Sequence, residues 1–462
     1  MSYAAAIEQL NALTPELYTR AGHSRRKFSL DEIRVLLEEL GEPQKQFPSV
    51  LIAGTNGKGS TAATLASILA AAGLRTGLYT SPHLEKANER IRMNGSEIDD
   101  DAFARLFFLV LDAAHRLVES GRLPQFPSYF EILTAQAFLY FAERKAEIAV
   151  LEVGLGGRLD ATNVVEPLLS IVTDISLDHM EWLGGTIAEI TREKAGILRR
   201  GGTMITLPQH PEANQALGEV AMELEVRAVS AVPYMPATAE AEGAYRVEAL
   251  GAEISVDSPL KGAHQHRNLA LAMAAAVELK RSFGFPVTPA AMEAGIQQTR
   301  WPARLEWISA QGVDWILDVA HNPAGAWALR AGLRGPLGER RPQVLVFSCL
   351  RDKPVRELAQ ILFPLFEQVI LAPLHAARAA EMADLLAAAH MTGTPAKAAA
   401  SVREAVRMAA ERAAGGAITG TAIGSVVISG SVYLVGEARA LLIKDGNIET
   451  EAATNHEKSG QG

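Results

Sequence analysis

The sequence predicts an α/β protein with two domains, each built from strands and helices that alternate along the chain. Three observations predict this class: short apolar runs of β type, helical stretches between them, and a length of 462 residues. That length exceeds the roughly 250–300 residues at which one hydrophobic core stops growing. Strand–helix alternation is typical of a parallel sheet covered by helices on both faces.

The N-terminal elements are predicted from changes in the apolar period. The first 47 residues have a helical pattern, and Val50–Ala53 is then a short apolar run that ends at glycines. The Ala- and Leu-rich stretch 61–72 follows, which predicts strand, loop and helix in that order. The alternation over Tyr245–Val256 predicts a β-hairpin or a loop excursion. The other predicted strands are 77–80, 147–153 and 168–174, and the other predicted helices are 100–119, 131–143 and 186–195.

A second strand–helix series begins near Arg304. We place the domain boundary near residues 299–302, which gives a P-loop-containing N-terminal domain (1–299) with a mostly parallel sheet. The smaller C-terminal domain (300–443) is predicted to be Rossmann-like. Residues 444–462 are polar and lack aromatics, which predicts a disordered tail. The predicted strands of the second series are 315–319, 343–347, 368–371 and 426–429.

Composition excludes several classes of protein. The net charge is −9, from 44 Lys plus Arg and 53 Asp plus Glu, and the chain has one cysteine. A single thiol excludes an internal disulfide or a multi-cysteine zinc site. We expect a cytoplasmic protein, because the first residues lack a signal-peptide pattern and no apolar run reaches the ~18 residues of a membrane span. The charge argues against nucleic-acid binding and requires a local cationic or metal site for any anionic substrate.

The strongest local signal is the string GTNGKGST, Gly54–Thr61, between a predicted strand and a predicted helix. Backbone N–H groups at such a turn and the positive helix end bind phosphate, and Lys58 can reach the β and γ phosphates. The string departs from the common Walker pattern, because Gly59 separates Lys58 from Ser60. No guanine-reading NKxD string occurs, so a signalling GTPase is disfavoured, whereas a small-molecule kinase stays possible at this step.

Candidate metal ligands follow successive strands beside this loop. Glu152 ends one predicted strand, Asp178 and His179 follow the next, and Ser81 and His83 follow a third. Ligand sites of open α/β sheets collect at such strand ends, and oxygen ligands suit Mg²⁺. A lone strand-end residue is more often a capping or surface residue, but the repetition favours a site. Lys194, by itself, is best explained as a helix C-terminal lysine that interacts with the dipole.

The second domain offers WPAR, Trp301–Arg304, and DVAHNP, Asp318–Pro323, at the end of a strand. Asn322 can be explained as the N-cap of the helix that begins at Pro323. That explanation does not cover Asp318 or His321. An Arg and an Asp from a second domain beside a nucleotide would make domain closure part of the reaction.

These motifs together resemble the folylpolyglutamate synthase family, including its bifunctional bacterial form that also has dihydrofolate synthase activity. The resemblance covers the chain from about Leu30 to Arg439. It implies an ATP-dependent, ADP-forming ligase, mechanistically related to the Mur ligases, that joins L-glutamate to a carboxylate through an acyl phosphate. The motifs are, in order, GTNGKGST, TSPHL, SYFEILT, EVGLGGRLDATN, DHMEWLGGT, REKAGI, HQHRNLALA, WPARLE, DVAHNP and GSVYLVGEAR.

The resemblance also implies roles for the nucleotide and metal residues. It assigns two Mg²⁺ ions to Ser81, Glu152, His179 and a carbamylated Lys194, and it leaves room for a monovalent cation. Lys58 and Lys194 are the expected catalytic lysines, and His321 or Asp318 is the candidate that orients or deprotonates the glutamate amine. Apart from the resemblance, the net charge of −9 requires a concentrated cationic site for anionic substrates, to which Arg90 or Arg92 would add. The residues implied to bind ATP are Asn56, Gly57, Lys58, Gly59, Ser60, Asn268, Arg304 and Asp318.

The substrates implied are the small molecules L-glutamate, dihydropteroate and folates, with no nucleic-acid or membrane partner and a monomeric protein. In the implied pterin pocket, Phe130 suits stacking on a flat heterocycle and Asp160 suits its amino groups. The full set of pocket residues implied is Phe28, Leu30, Ser128, Tyr129, Phe130, Glu131, Leu159, Asp160 and Ala161.

Three alternatives stay open. The first is a folylpolyglutamate synthase without dihydrofolate synthase activity, since one pocket can serve both substrates. The second is a Mur-type ligase of a cell-wall nucleotide precursor. A P-loop that begins at residue 54 leaves no room for the UDP-binding domain expected there. The third is a non-catalytic ATP-binding switch, which the magnesium and lysine candidates disfavour.

Overall fold

The computed structural model describes residues 2–13, 29–238, 243–310, 312–334, 342–376, 378–418 and 424–445. The chain divides into two compact units. Unit 1 comprises residues 1–259 and 265–300, and unit 2 comprises residues 260–264 and 301–462. Phe28 and most of the predicted tail lie outside the described residues. The helix that precedes the tail runs to Asp445, so Lys444 is helical.

Unit 1 is built on an eight-stranded sheet with the order β4-β3-β2-β5-β1-β6-β7-β8. The six strands from β2 to β8 in this order are parallel, and β3 and β4 add an antiparallel edge. The two central strands β1 and β5 are buried along their whole length, as expected for a sheet covered on both faces. The strands are β1 Ser49–Ala53, β2 Thr76–Tyr79, β3 Ile91–Met93, β4 Ser96–Glu97, β5 Ile148–Glu152, β6 Leu169–Val172, β7 Thr203–Thr206 and β8 Arg227–Ser230.

Helices cover this sheet, and a separate hairpin follows it. The hairpin pairs β9 Tyr245–Ala249 with β10 Ala252–Val256, so of the two structures that the alternation allowed the hairpin is the one that forms. One hydrophobic core includes Leu51 of β1, Phe103 of α4 and Phe138 of α5. The helices of unit 1 are α1 Tyr3–Ala12, α2 Asp31–Glu39, α3 Lys58–Ala71, α4 Asp100–Glu119, α5 Tyr129–Glu143, α6 Met180–Leu183, α7 Ile187–Ala195, α8 Pro211–Glu223, α9 His264–Phe283, whose first residue belongs to unit 2, and α10 Pro289–Gln298.

Unit 2 has its own six-stranded sheet with the order β11-β12-β16-β13-β14-β15. All neighbours are parallel except β11, which pairs antiparallel with β12. Its core includes Phe347, Phe363 and Cys349. Its elements are β11 Glu306–Ala310, β12 Val313–Leu317, α11 Pro323–Gly332, β13 Gln343–Phe347, α12 Val355–Leu362, β14 Gln368–Leu371, α13 Met382–Thr392, β15 Ala396–Ala398, α14 Val402–Ile418, β16 Ser425–Ser429 and α15 Val432–Asp445.

The predicted fold class is confirmed: two α/β units, the first with a large, mostly parallel sheet. The strands that the sequence analysis missed lie at or near sheet edges, where strands are short or their residues are exposed. They are β3, β4, β7, β8, β11 and β15, and β8 and β15 are largely exposed. A periodicity argument depends on burial of one face, so it loses force at edges. The strand predicted at 315–319 begins and ends two residues earlier, at Val313–Leu317.

Candidate active site

The phosphate-binding loop lies at the carboxyl end of β1, the third of the six parallel strands of unit 1. Gly57 adopts a left-handed conformation (φ 87°), and α3 begins at the next residue, Lys58. The backbone N–H groups of Thr55 and Asn56 donate to the carbonyl oxygen of Asp174, 2.8 and 3.1 Å away. The loop is therefore anchored to the segment after β6. It leads into the N-terminus of α3 at the carboxyl ends of the parallel strands, and a helix N-terminus there favours the binding of anions.

Asn268 of α9 lies against this loop. A Cβ atom built on Gly57 would overlap the Asn268 Oδ1 atom, so only glycine fits this position. The Asn268 side chain is held in place, because its Nδ2 donates to Gln265 Oε1 at 2.8 Å. The structure thus brings together two residues that are more than 200 positions apart in the sequence.

Lys58 and Lys194 donate hydrogen bonds to the same atom. Lys58 Nζ lies 3.1 Å and Lys194 Nζ 2.8 Å from the carbonyl oxygen of Gly54. Lys194 does lie in the last turn of α7, as the sequence indicated, but its hydrogen bond to the Gly54 carbonyl oxygen is a contact that the helix dipole does not explain. Lys194 is only 5% exposed, and its Nζ points to the phosphate-binding loop. Periodicity alone did not reveal this, because the partner is a backbone atom 140 positions away.

The charge state of Lys194 follows from this environment. Burial, and next the nearby charge of Lys58, lower the pKa of Lys194 to about 7. The carboxylates of Asp178 and Asp160 act in the opposite direction but are weaker. Near pH 7, Lys194 is therefore a neutral, nucleophilic amine in a large fraction of the protein molecules.

Two of the candidate metal ligands are in contact. Glu152 ends β5, Ser81 follows the adjacent strand β2, and the Ser81 N–H donates to Glu152 Oε2 at 3.2 Å. His179 follows β6 in a left-handed conformation, and its N–H donates to Asp178 Oδ1 at 2.9 Å. In the described part of the chain, no group of three or more His, Cys, Asp or Glu side chains forms a metal cluster.

Ser128 and Glu131, both implied to line the pterin pocket, form the capping box of α5. The Ser128 N–H donates to Glu131 Oε2 at 2.7 Å, and the Glu131 N–H donates to Ser128 Oγ at 3.2 Å. Such reciprocal bonds satisfy backbone donors at a helix start. These two side chains fix where α5 begins and so where Tyr129 and Phe130 lie.

The glycine-rich loop 154–163 contains Asp160, and Phe130 packs against its first residue, Gly154. A Cβ on Gly154 would overlap the Phe130 ring, which also packs on Tyr79 with ring centroids 5.8 Å apart. Asp160 Oδ1 accepts from the Thr162 N–H, and its Oδ2 accepts from the Leu155 N–H. Burial raises the pKa of Asp160, although these hydrogen bonds oppose the shift. Asp160 therefore shapes the loop itself.

The same loop is hydrogen-bonded to the C-terminal end of α7, which carries Lys194. The Arg158 N–H donates to the Glu193 carbonyl oxygen at 2.8 Å, and Asn163 Nδ2 donates to the Gly196 carbonyl oxygen at 3.0 Å. A Cβ on Gly157 would lie 2.6 Å from the Lys194 carbonyl oxygen, which is backbone and cannot rotate away. The glycine at 157 is thus required for close packing of loop and helix.

We expect Gly157→Ala to destabilise unit 1 by about 1–3 kcal/mol, because overpacking forces backbone shifts. Activity should fall with it, since the shift displaces Lys194. Gly218→Ala is the matched control: Gly218 lies inside α8 with nothing within 4 Å of an added Cβ. That change should stabilise by about 1 kcal/mol through helix propensity. Urea unfolding of both variants measures the effect, and equal midpoints would contradict it.

A cluster that the sequence analysis did not connect lies after β2. Arg90 Nε donates to His83 Nδ1 at 2.9 Å, and the Arg90 guanidinium lies 5.2 Å from the centre of the Tyr129 ring. Burial, with a smaller contribution from Arg90, lowers the pKa of His83 to about 3, so this imidazole is neutral. The sequence analysis named His83, Arg90 and Tyr129 separately, and nothing in their spacing indicated that they contact one another.

In unit 2, Asp318 and His321 both lie just beyond β12. Asp318 is buried, and its carboxylate accepts from the backbone N–H groups of Leu305 (3.0 Å) and Ala320 (2.9 Å). Leu305 and Ala303 both have positive φ, so Asp318 holds a strained turn that contains Arg304. His321 Nδ1 lies 2.9 Å from the Val319 carbonyl oxygen, which can only accept, so in the neutral tautomer Nδ1 carries the proton and Nε2 is the acceptor nitrogen.

Asn322 caps α11, as one interpretation predicts. Its Oδ1 accepts from the Gly325 N–H at 2.8 Å. Arg304 Nη1 donates to the Ala303 carbonyl oxygen at 3.0 Å. The structure therefore groups Arg304, Asp318 and His321 within unit 2 and gives Asn322 a structural role.

A phosphate-binding loop on a mostly parallel sheet, followed by a second α/β unit, agrees with the two Mur ligase domains that this chain matches. The Mur ligase middle domain matches residues 52–276, and the Mur ligase glutamate ligase domain matches residues 303–432. None of the helices in the described ranges is long and apolar enough to cross a membrane.

Relatives narrow this class to one family. The dihydrofolate synthase/folylpolyglutamate synthase of Bacillus subtilis is 36% identical over 389 residues, which cover 80% of this chain and 87% of the relative. The Mycobacterium tuberculosis folylpolyglutamate synthase complexed with ADP and AMPPCP has a TM-score of 0.85 at 32% identity, covering 96% of this chain and 100% of that one. E. coli FolC in complex with DHPP and ADP has a TM-score of 0.79 at 29% identity, covering 96% and 98%. The chain belongs to the dihydrofolate synthase/folylpolyglutamate synthase family, and it is an enzyme of the ligase class.

Proposed function

We propose that this enzyme uses ATP to join L-glutamate to dihydropteroate and to folates, with release of ADP and phosphate. The observation that carries the proposal is the pair of lysines, Lys58 and Lys194, that converge on the Gly54 carbonyl oxygen of the phosphate-binding loop. Family membership supports the same activity, because the B. subtilis relative carries both synthase names and the M. tuberculosis relative was solved with ADP and AMPPCP.

The first chemical step brings two anions together. A carboxylate oxygen of the acceptor attacks the γ-phosphorus of ATP, the bond to the β-phosphate oxygen breaks, and ADP leaves with the electron pair. Lys58 at the start of α3 lowers the charge repulsion in this step, and the loop N–H groups hold the phosphates. The resulting acyl phosphate is the activated form that an amine can attack.

Magnesium fits the donor set at this sheet edge. Glu152 offers a carboxylate and Ser81 a hydroxyl after adjacent strands, and the hydrogen bond from the Ser81 backbone N–H to Glu152 Oε2 supports their assignment to one site. His179 would be the third protein ligand, with phosphate oxygens and water completing each shell. Mg²⁺, when bound, neutralises phosphate charge. We infer two ions from the family pattern, and a monovalent cation stays a prediction.

Lys194 is proposed to act as a carbamate. A neutral amine adds CO₂, an N–C bond forms, and one proton is released, which converts a buried base into an anion. The depressed pKa of Lys194 supports this step, because only the neutral amine reacts. An anion at this place would offset the charge of Lys58 and provide oxygen donors for a metal.

The second chemical step requires a deprotonated glutamate amine. His321 is the better candidate for this role, because its Nε2 is an acceptor, whereas both carboxylate oxygens of Asp318 accept backbone N–H groups. The amine attacks the acyl carbon, the amide forms, and phosphate leaves. Roles of Asn268, Arg304 and Asp318 toward nucleotide, a monomeric state and a cytoplasmic location stay predictions.

A direct assay tests the proposed function. Purified enzyme with ATP, Mg²⁺ and L-glutamate should release ADP and form a product heavier by one glutamate with dihydropteroate and with tetrahydrofolate. Activity with tetrahydrofolate alone would reduce the function to that of a folylpolyglutamate synthase. Activity only with a cell-wall nucleotide precursor would support the Mur alternative. ATP binding with no product from any acceptor would support a non-catalytic switch.

A further inference from the structure

We propose that Arg90 binds the acceptor's reacting carboxylate, the one that ATP phosphorylates, and this inference rests on the function proposed above. The family motifs assign no role to this residue. In dihydropteroate, the acceptor used in the test below, this group is a benzoate at the end of a flat heterocyclic substrate, whereas in folates it is a carboxylate of the terminal glutamate.

Arg90 is a buried cation without a carboxylate partner among the described residues. It is only 8% exposed, and no described Asp or Glu lies within ion-pair distance of it. Its neighbours are a neutral imidazole and an aromatic ring: Nε donates to His83 Nδ1, and the guanidinium lies over Tyr129. Because Nδ1 accepts this bond, the His83 ring carries no charge that could balance Arg90.

This arrangement is costly without a ligand. A buried charge that lacks a counter-ion is destabilising, and one cation–π contact with one neutral hydrogen bond compensates only in part. The Nε bond to His83 fixes the plane of the guanidinium. Its two terminal nitrogens form a rigid fork that matches a carboxylate.

Arg92 provides an internal comparison. Its guanidinium pairs with Glu97 at 3.5 Å, and its Nε donates to the Glu89 carbonyl oxygen at 3.1 Å. Its charge is therefore balanced within unit 1. Of the two arginines that the sequence offered, Arg90 is the one with a charge left for a ligand.

The position of Arg90 favours the acceptor over the nucleotide. The Thr80 N–H donates to the Arg90 carbonyl oxygen at 3.0 Å, so Arg90 lies beside the end of β2, next to Ser81. Strand β5 separates β2 from β1, which puts β2 about 10 Å from the strand that carries the phosphate-binding loop. Tyr129, which Arg90 contacts, precedes Phe130 of the proposed pterin pocket. The acceptor carboxylate must lie between that pocket and the γ-phosphate.

In the reaction, this contact would orient the nucleophile. The carboxylate carries its charge on two oxygens. The guanidinium would hold the carboxylate so that one of these oxygens faces the γ-phosphorus. The O–P bond then forms and the bond to ADP breaks, with no proton transfer required. Arg90 thus acts on the acceptor by orientation and charge, whereas Lys58 acts on the phosphates.

The test compares two acceptors and two variants. Equilibrium binding of dihydropteroate, and of the analogue whose carboxylate is replaced by hydrogen, is measured with AMPPCP present. We expect the wild type to bind the carboxylate form roughly 10- to 100-fold more tightly, as for a charge-assisted contact. Arg90→Gln should bind both about equally. Arg105→Gln, which removes an exposed arginine paired with Glu143, should keep the wild-type preference.

The outcomes separate this inference from the proposed function. An Arg90→Gln variant that keeps the wild-type preference, or that loses affinity for both acceptors equally, would show that Arg90 only supports His83 and Tyr129. Unchanged AMPPCP affinity shows that the variant is folded. If the wild type adds no glutamate to any folate, the function fails. If it adds glutamate while the preference is unaffected by Arg90→Gln, only this inference fails.

Discussion

Replacing Lys58 with alanine is expected to lower kcat about a hundred- to a thousandfold while the protein stays folded. Within the described ranges, the hydrogen bonds of Lys58 Nζ go to the backbone carbonyl oxygens of Gly54 and Thr55 on its own loop. Both hydrogen bonds go to backbone atoms and none to a core side chain, so loss of the Lys58 side chain should lower the free energy of unfolding only slightly. Its charge, however, is the protein's main compensation for phosphate charge in the proposed first step. Steady-state ADP release measures the effect, and circular dichroism checks the fold.

Lys45→Ala is the matched control for this change. Lys45 is exposed and pairs with Glu42 three residues away, a surface ion pair worth at most about 1 kcal/mol. It should retain wild-type kcat. A Lys58→Ala enzyme with near-normal kcat would contradict the assignment of the phosphate-binding loop to catalysis.

Lys194→Ala is expected to abolish product formation, and the wild type should depend on CO₂. The pKa of Lys194 is lowered to about 7, so the neutral amine fraction increases as the pH rises through 7. Carbamate formation should therefore be more complete at pH 8 than at pH 6. Activity in CO₂-depleted buffer should be low and should be restored by bicarbonate, with the larger restoration at pH 8.

The carbamate itself can be detected in the folded protein. With carbon-13 bicarbonate, the wild type should show a carbamate resonance that Lys194→Ala lacks. Lys353→Ala is the control, because Lys353 is also a buried lysine but belongs to unit 2. That variant should keep the resonance. Full activity of Lys194→Ala, or activity indifferent to CO₂, would refute the proposed role.

The two lysines are also coupled, because the charge of Lys58 contributes to the low pKa of Lys194. Removal of Lys58 should therefore raise the pKa of Lys194 toward its ordinary value. The Lys58→Ala variant then needs a higher pH for carbamate formation. This electrostatic link could not be inferred from the motifs, which place Lys58 and Lys194 in separate elements.

Local chemistry explains which parts of the structure the sequence predicted. Buried parallel strands such as Ser49–Ala53 and Gln343–Phe347 are continuous apolar runs, so burial on both faces leaves a direct signal. The phosphate-binding loop is equally local, because glycines, a lysine and a helix start suffice to define it. Edge strands such as β8 and β15 have exposed residues and leave little periodic signal.

The sequence by itself therefore determined the α/β class, the phosphate-binding loop and, through its ordered motifs, the family. The tertiary structure decided what distant side chains do. It directed Lys194 to Gly54, gave Ser128 and Glu131 to a helix cap, and left Arg90 buried beside a neutral histidine. The physical reason is that charge state and hydrogen bonding depend on burial and on neighbours across the sheet, and neither is encoded in any short stretch of chain.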